Sequence, residues 1–253
     1  MIFLGSKNKF IGVFVFKKII ASFFVLVFAF SCCSQSLIPQ ANFDEKKFIQ
    51  KLHKSVAMVS FTIKSGDASY STIRGTAFAI SKKHLLTAGH VCLEVFRRFS
   101  AADFLDSSNE LYFVNENFQI SNITDNLRIR SIDTVNDICL LETKSNPLTP
   151  LKIELAEYEI GDEMFVVGAP TGTFPIFTKG YVAMNQPVFD GSMLATKVML
   201  SIPIFQGNSG SPLFNKKGNV VGLIVAANPK YPYISFATNS EDLINFIKDS
   251  LNK

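Results

Sequence analysis

From residue 55 onward, the chain is a succession of short β-rich runs separated by turn residues, and this pattern limits the fold more than any other feature. The runs are rich in Val, Ile, Phe and Thr, and they recur at similar intervals. They include residues 56–63, 75–80, 138–142, 163–167 and 220–225. Helical segments do not alternate with them, so a parallel α/β fold is excluded. The pattern predicts an all-β barrel or sandwich.

One helix is predicted at each end of this β region. Phe48 and Leu52 lie one helical turn apart within residues 43–54, which is typical of a short amphipathic helix. Ser240 can cap a last helix over about residues 240–251, where apolar residues repeat at helical spacing.

A Pro-containing segment at residues 146–150 divides the β region into two halves. We therefore expect one domain over residues 43–253. Its first half covers about residues 55–146, and its second half covers about residues 151–238.

Residues 1–31 have the pattern of a secretory signal peptide. Basic residues precede thirteen uncharged residues at 19–31, whereas a bilayer-spanning helix needs roughly 20. The small-x-small site Ala29-Phe30-Ser31 is followed by Cys32, as in a bacterial lipobox, and a polar linker covers residues 32–42. The alternatives are lipidation of Cys32, plain cleavage and an uncleaved anchor. Each predicts export to the periplasm, the cell envelope or the medium.

The charge distribution gives no argument for a nucleic-acid partner. The net charge is +4, with 25 Lys and Arg against 21 Asp and Glu. Four of the lysines lie within residues 1–31, which contain no acidic residue. The remaining chain is therefore neutral, and a neutral chain does not predict binding to nucleic acid.

Only Cys92 and Cys139 lie in the predicted folded domain. We expect two small buried thiols, with a disulfide between them as the alternative that an oxidising compartment permits. The histidines and cysteines do not have the spacing of zinc ligands. We expect no metal and no cofactor.

Three short segments carry His90, Asp137 and Ser209 in that chain order. A serine hydroxyl becomes nucleophilic when a neutral imidazole takes its proton and a carboxylate orients that imidazole. The reaction also needs donors for the developing oxyanion. The glycines beside Ser209 allow the backbone N–H groups of Gly207 and Ser209 to approach a substrate. The three segments together therefore predict a catalytic triad and an oxyanion hole.

These segments resemble the trypsin-like (chymotrypsin-fold) serine peptidases. The matching motifs are Thr87-Ala88-Gly89-His90, Asp137-Ile138-Cys139-Leu140-Leu141 and Gly207-Asn208-Ser209-Gly210-Ser211-Pro212. The second half is similar to the HtrA/Deg branch, and the nucleophile loop is also similar to the glutamyl endopeptidase branch. The resemblance implies two six-stranded antiparallel β-barrels with the triad between them. We expect the domain to act without a PDZ domain.

The resemblance also places a pocket for the substrate residue before the scissile bond. The positions that correspond to its walls are Pro203, Ile204, Ile224, Ala226 and Ser235. None of them can pair with a charged substrate side chain, and burying an unpaired charge costs several kcal/mol, on the order of 3–5. We therefore expect cleavage after small or medium apolar residues.

The sequence thus predicts a serine endopeptidase that acts on protein or peptide substrates. The alternative is a catalytically silent protein of the same fold that binds peptides. The sequence makes no prediction of the oligomeric state.

Overall fold

The computed structural model describes residues 44–65, 69–98, 108–114, 120–123, 127–185, 197–231 and 233–252. The predicted signal peptide, the linker and Cys32 lie outside the described residues. Within these ranges, every helix is too short or too polar to cross a membrane.

The first half of the described chain is a helix followed by a seven-stranded antiparallel sheet. Helix α1 (Glu45–Leu52) begins at Asp44, whose carboxylate accepts a hydrogen bond from the Lys47 N–H at 3.1 Å. A short 3-10 turn, His53–Ser55, leads into the sheet. The strands are β1 (Val56–Ser65), β2 (Ser69–Ala79), β3 (His84–Ala88), β4 (Ser108–Val114), β5 (Ile120–Ile123), β6 (Arg128–Asp133) and β7 (Ile138–Glu142). Their order across the sheet is β5-β4-β1-β2-β3-β7-β6.

The predicted six-stranded barrel of the first half therefore differs from the observed sheet. The described residues contain seven strands here, because β5 adds to the outer edge of β4. In the hydrogen-bonding order, β5 and β6 are the two end strands of an open sheet.

The second half forms a closed six-stranded barrel. Its strands are β8 (Glu163–Gly168), β9 (Ile176–Met184), β10 (Val198–Ser201), β11 (Pro212–Phe214), β12 (Val220–Ala227) and β13 (Ile234–Asn239). They pair in the order β10-β13-β12-β11-β8-β9, and β9 closes the ring on β10. An apolar core fills the barrel and includes Val166, Leu200, Ile204, Leu213 and Ile224. The prediction of a mainly β protein with a six-stranded barrel is confirmed.

A second, larger apolar cluster joins the two halves. Phe78 and Leu140 from the sheet are fully buried in the same cluster as Phe165 and Phe214 from the barrel. This shared core holds the sheet and the barrel in contact.

The last helix covers the junction between the two halves. Helix α3 (Ser240–Leu251) begins at Asn239, whose side chain accepts a hydrogen bond from the Asp242 N–H at 2.8 Å. It packs against β6 and β7 of the sheet and against β12 and β13 of the barrel.

Cys92 and Cys139 form a disulfide, with a Cα–Cα distance of 6.5 Å. The expectation of two free thiols was wrong. Strand β3 pairs with β7, so that Thr87 lies opposite Cys139. Helix α2 (Gly89–Arg98) follows β3 directly, and Cys92 in its first turn therefore meets Cys139.

Candidate active site

Strand pairing brings His90 and Asp137 together. Ala88 at the end of β3 lies opposite Ile138 at the start of β7. Gly89, which follows Ala88, therefore lies opposite Asp137, which precedes Ile138. The Gly89 N–H donates to the Asp137 carbonyl oxygen at 2.9 Å. A Cβ on Gly89 would lie 3.0 Å from both the carbonyl carbon and Oδ1 of Asp137. Glycine is therefore the residue that permits this close approach.

A continuous series of hydrogen bonds connects Asp137, His90 and Ser209. Asp137 Oδ1 accepts from the His90 backbone N–H at 2.6 Å. With its proton on Nδ1, the His90 ring donates to Asp137 Oδ2 at 2.8 Å. Its Nε2 then accepts from Ser209 Oγ at 2.9 Å. The His90 side chain is 46% exposed and that of Asp137 only 19%, so a substrate can reach the imidazole while the carboxylate stays sheltered.

The turn before β7 orients the Asp137 carboxylate. Asp137 has a φ of +58°, a backbone conformation that residues other than glycine rarely adopt. The carboxylate of Asp133 stabilises the turn by accepting from the backbone N–H groups of Val135 and Asn136, each at 2.9 Å. Although burial favours the neutral form, these bonds outweigh it and lower the pKa of Asp133. The ionised carboxylate therefore holds the turn closed.

The loop that carries Ser209 is tied to both halves of the fold. The Thr76 N–H of β2 donates to the Ser209 carbonyl oxygen at 2.8 Å. The Gly210 N–H donates to the Ile224 carbonyl oxygen of β12 at 2.7 Å. Gly210 has a φ of +89°, and a Cβ at this position would overlap the Thr76 carbonyl oxygen. The nucleophile candidate thus sits where the sheet and the barrel meet.

The backbone N–H groups of Gly207 and Ser209 have no hydrogen-bond acceptor among the described residues. The loop is held through the carbonyl oxygens of Gln206 and Gly207. The Gln206 carbonyl oxygen accepts from the Thr171 N–H at 2.7 Å, and the Gly207 carbonyl oxygen accepts from Thr76 Oγ1 at 2.8 Å. These contacts anchor the carbonyl groups on each side of Gly207 and leave its N–H available, as an oxyanion hole requires.

The positions predicted to line the substrate pocket have different environments. Ile204 and Ile224 belong to the buried core of the barrel. Pro203 and Ala226 are partly buried. Ser235 is fully buried, and its hydroxyl donates to the Ile202 carbonyl oxygen at 3.1 Å.

The structure also identifies supporting residues that the sequence did not indicate. Thr76 is fully buried, and its hydroxyl contacts the Gly207 carbonyl oxygen; Lys197 and Thr238 contact the carbonyl oxygen before Asp137. A polar residue in a strand gives no sequence pattern that distinguishes such a role. Within the described part of the chain, His, Cys, Asp and Glu residues form no group that could hold a metal ion.

A hydrogen-bonded Asp–His–Ser series beside two free backbone donors, on a β fold with a closed barrel, defines the class of serine peptidases. The family of the trypsin-like peptidase domain matches residues 75–223, more than half of the chain. The chain belongs to this family.

Curated relatives match part of this chain and a smaller part of their own length. A probable periplasmic serine endoprotease, DegP-like, of Pseudomonas putida is 32% identical over 92 residues, 36% of this chain and 19% of the relative. The DegP-like protein of Pseudomonas fulva is 26% identical over 154 residues, 59% of this chain and 28% of the relative. The magnetosome formation protease MamE of Paramagnetospirillum magneticum is 30% identical over 132 residues. The matches therefore span 18% to 28% of these relatives' lengths.

Solved structures share the fold. The crystal structure of Deg5 superposes with a TM-score of 0.63 at 20% identity, covering 79% of this chain and 90% of that chain. An HtrA-type protease with a tripeptide superposes with a TM-score of 0.62 at 17% identity, covering 80% of this chain and 62% of that chain.

Proposed function

We propose that this chain is an active serine endopeptidase in which Ser209 is the nucleophile, His90 the general base and acid, and Asp137 the residue that orients His90. The single observation that carries the proposal is the hydrogen-bonded series from Asp137 through His90 to Ser209. Proteins that have lost activity would be expected to break this series or to close the oxyanion hole.

The proposed reaction follows from this geometry. Ser209 Oγ attacks the scissile carbonyl carbon while His90 Nε2 takes the hydroxyl proton, and the Asp137 carboxylate stabilises the resulting imidazolium. The carbonyl oxygen becomes an oxyanion that accepts from the N–H groups of Gly207 and Ser209. The imidazolium then gives its proton to the departing amine, and the acyl group stays on Ser209. Water attacks this ester in a second step, with His90 again taking and returning the proton.

The proposed specificity is for small or medium apolar residues before the scissile bond. Pro203 and Ala226, the two predicted wall residues that are only partly buried, are apolar, and the Ser235 hydroxyl already donates to the Ile202 carbonyl oxygen. The predicted walls therefore offer no group that would pair with a charged substrate side chain. Selection among apolar residues should be modest, because one methylene is worth about 1–3 kcal/mol.

We also propose that the protein is exported, with Cys32 as a lipidation candidate. The apolar run and small-x-small site of residues 19–31 support export, and the DegP-like relatives are described as periplasmic. Mass spectrometry of the mature N-terminus tests this part: an acylated Cys32 is expected, and a free amine on an unmodified residue would exclude lipidation.

Hydrolysis of a fluorogenic peptide library tests the activity itself. We expect cleavage after Val, Ala, Ile or Leu, and a loss of kcat of about 10⁴-fold or more in Ser209→Ala and in His90→Ala. A silent peptide-binding protein would retain peptides without cleaving them. Equal hydrolysis by Ser209→Ala would reject the proposed nucleophile, and dominant cleavage after Arg, Lys or Glu would reject the proposed pocket.

A further inference from the structure

Lys197 is a buried cation directly behind the Asp137 turn. It immediately precedes β10, and only 3% of its surface is exposed. Its Nζ donates to the Asn136 carbonyl oxygen at 2.6 Å and to Thr238 Oγ1 at 3.0 Å. Thr238 Oγ1 in turn donates to the same Asn136 carbonyl oxygen at 2.6 Å. Two donors from the barrel therefore converge on one carbonyl oxygen of the sheet.

This carbonyl oxygen belongs to the peptide group that joins Asn136 to Asp137. Anchoring it restricts the peptide plane on the N-terminal side of Asp137, where the backbone has a φ of +58°. That unusual conformation persists only when the surroundings hold it. The contacts made by Lys197 and Thr238 supply part of this restraint.

Acidic groups from several elements act electrostatically on the Lys197 ammonium group. It interacts electrostatically with Asp242 of α3, Asp137 and Asp133. Glu241 lies beside Asp242, and Glu157 and Tyr158 line the cavity next to Lys197.

Burial and neighbouring charges both shift the pKa values of Lys197 and Asp242. Burial lowers the pKa of Lys197, and the surrounding carboxylates oppose that shift. Burial raises the pKa of Asp242, and Lys197 opposes that shift. Each charge therefore favours the charged form of the other.

We infer that Lys197 is a positioning residue for the triad, which fixes the Asn136–Asp137 peptide group and balances the charge of the Asp137 carboxylate behind His90. This inference rests on the proposed peptidase function. A merely structural lysine would stabilise the fold without changing the pH dependence of hydrolysis. A positioning residue changes both kcat and that pH dependence.

The test compares Lys197→Met with Lys216→Met, measuring kcat, KM and the pH profile of kcat/KM. Lys216 is an exposed barrel lysine paired with Glu163, and its replacement should leave hydrolysis unchanged. In Lys197→Met we expect kcat to fall about 10-fold or more, with KM changed by less than about threefold. Because the substitution removes a positive charge from behind the triad, the acid limb should move to higher pH.

Two further variants keep the test decisive if Lys197→Met does not fold. Lys197→Gln removes the charge but keeps a donor near Asn136, so the acid limb should move to higher pH with a smaller loss of kcat. Thr238→Val removes the neutral donor and leaves the cation, so kcat should fall without a shift of the acid limb. An unmoved acid limb in the folded Lys197 variants would overturn the inference, whatever their kcat. Absence of Ser209-dependent hydrolysis in the wild-type protein would instead reject the proposed function.

Discussion

The hydroxyl of Thr76 should support the oxyanion hole, and Thr76→Val tests this role with almost no change of side-chain volume. Thr76 is fully buried. Its Oγ1 donates to the Gly207 carbonyl oxygen at 2.8 Å and accepts from the Ala169 N–H at 3.0 Å. Valine can do neither, so the substitution leaves one acceptor and one donor without their partner.

The magnitude follows from these two contacts. A buried polar group that loses its partner costs about 1–3 kcal/mol, so the loss of both partners should lower the free energy of unfolding by about 2–6 kcal/mol. Loss of a whole oxyanion donor lowers kcat about 10²- to 10³-fold. The Thr171 N–H still anchors Gln206, so we expect a smaller loss of kcat in Thr76→Val, about 10- to 100-fold, with little change in KM.

Urea denaturation and steady-state hydrolysis measure both quantities. Thr76→Ser is the matched control, because it keeps the hydroxyl and removes only a methyl group, and it should retain kcat within about threefold. A folded Thr76→Val protein with wild-type kcat would refute the assigned role of Thr76 in the oxyanion hole.

Two other predictions concern the first half of the fold. Replacing Cys92 and Cys139 together by Ser should lower the free energy of unfolding by about 4 kcal/mol, because the disulfide closes a loop with a sequence separation of 47. Denaturation measures this change. The disulfide would be contradicted if the variant were as stable as the wild-type protein and the wild-type protein contained two free thiols. Asp133 has a lowered pKa, so its contribution to stability is present above its ordinary value of 3.8 and is lost as the pH falls through the folded-state pKa. The free energy of unfolding should therefore fall less on acidification in Asp133→Asn than in the wild-type protein. An equal fall in both proteins would argue against this role of Asp133.

Local sequence patterns were sufficient to predict the residues of the candidate triad. His90, Asp137 and Ser209 each lie in a short motif with glycine or an apolar strand beside it, and the glycines are needed where backbones approach closely. The structure brings the three side chains within hydrogen-bonding distance. The short, regularly spaced strands predicted a barrel or a sandwich, and only the resemblance to the trypsin-like peptidases implied a six-stranded barrel.

Features that depend on the pairing of distant strands were not predictable in the same way. The Cys92–Cys139 disulfide requires the pairing of β3 with β7, and the cysteine spacing alone does not reveal it. No pattern in the sequence distinguishes Lys197 from other lysines beside a strand. The carboxylates that act on it electrostatically, Asp133, Asp137 and Asp242, lie far from it in the sequence. The seventh strand of the sheet likewise arises from the pairing of β4 with β5.

The site of covalent labelling by a fluorophosphonate probe tests the central claim most directly, because this reagent reacts with an activated serine hydroxyl. Mass spectrometry of the digested protein should place the adduct on Ser209, and labelling should be lost in Ser209→Ala and strongly slowed in His90→Ala. The Lys216→Met protein should label at the wild-type rate. An adduct on another residue, or equal labelling of Ser209→Ala, would contradict the assignment of Ser209 as the nucleophile.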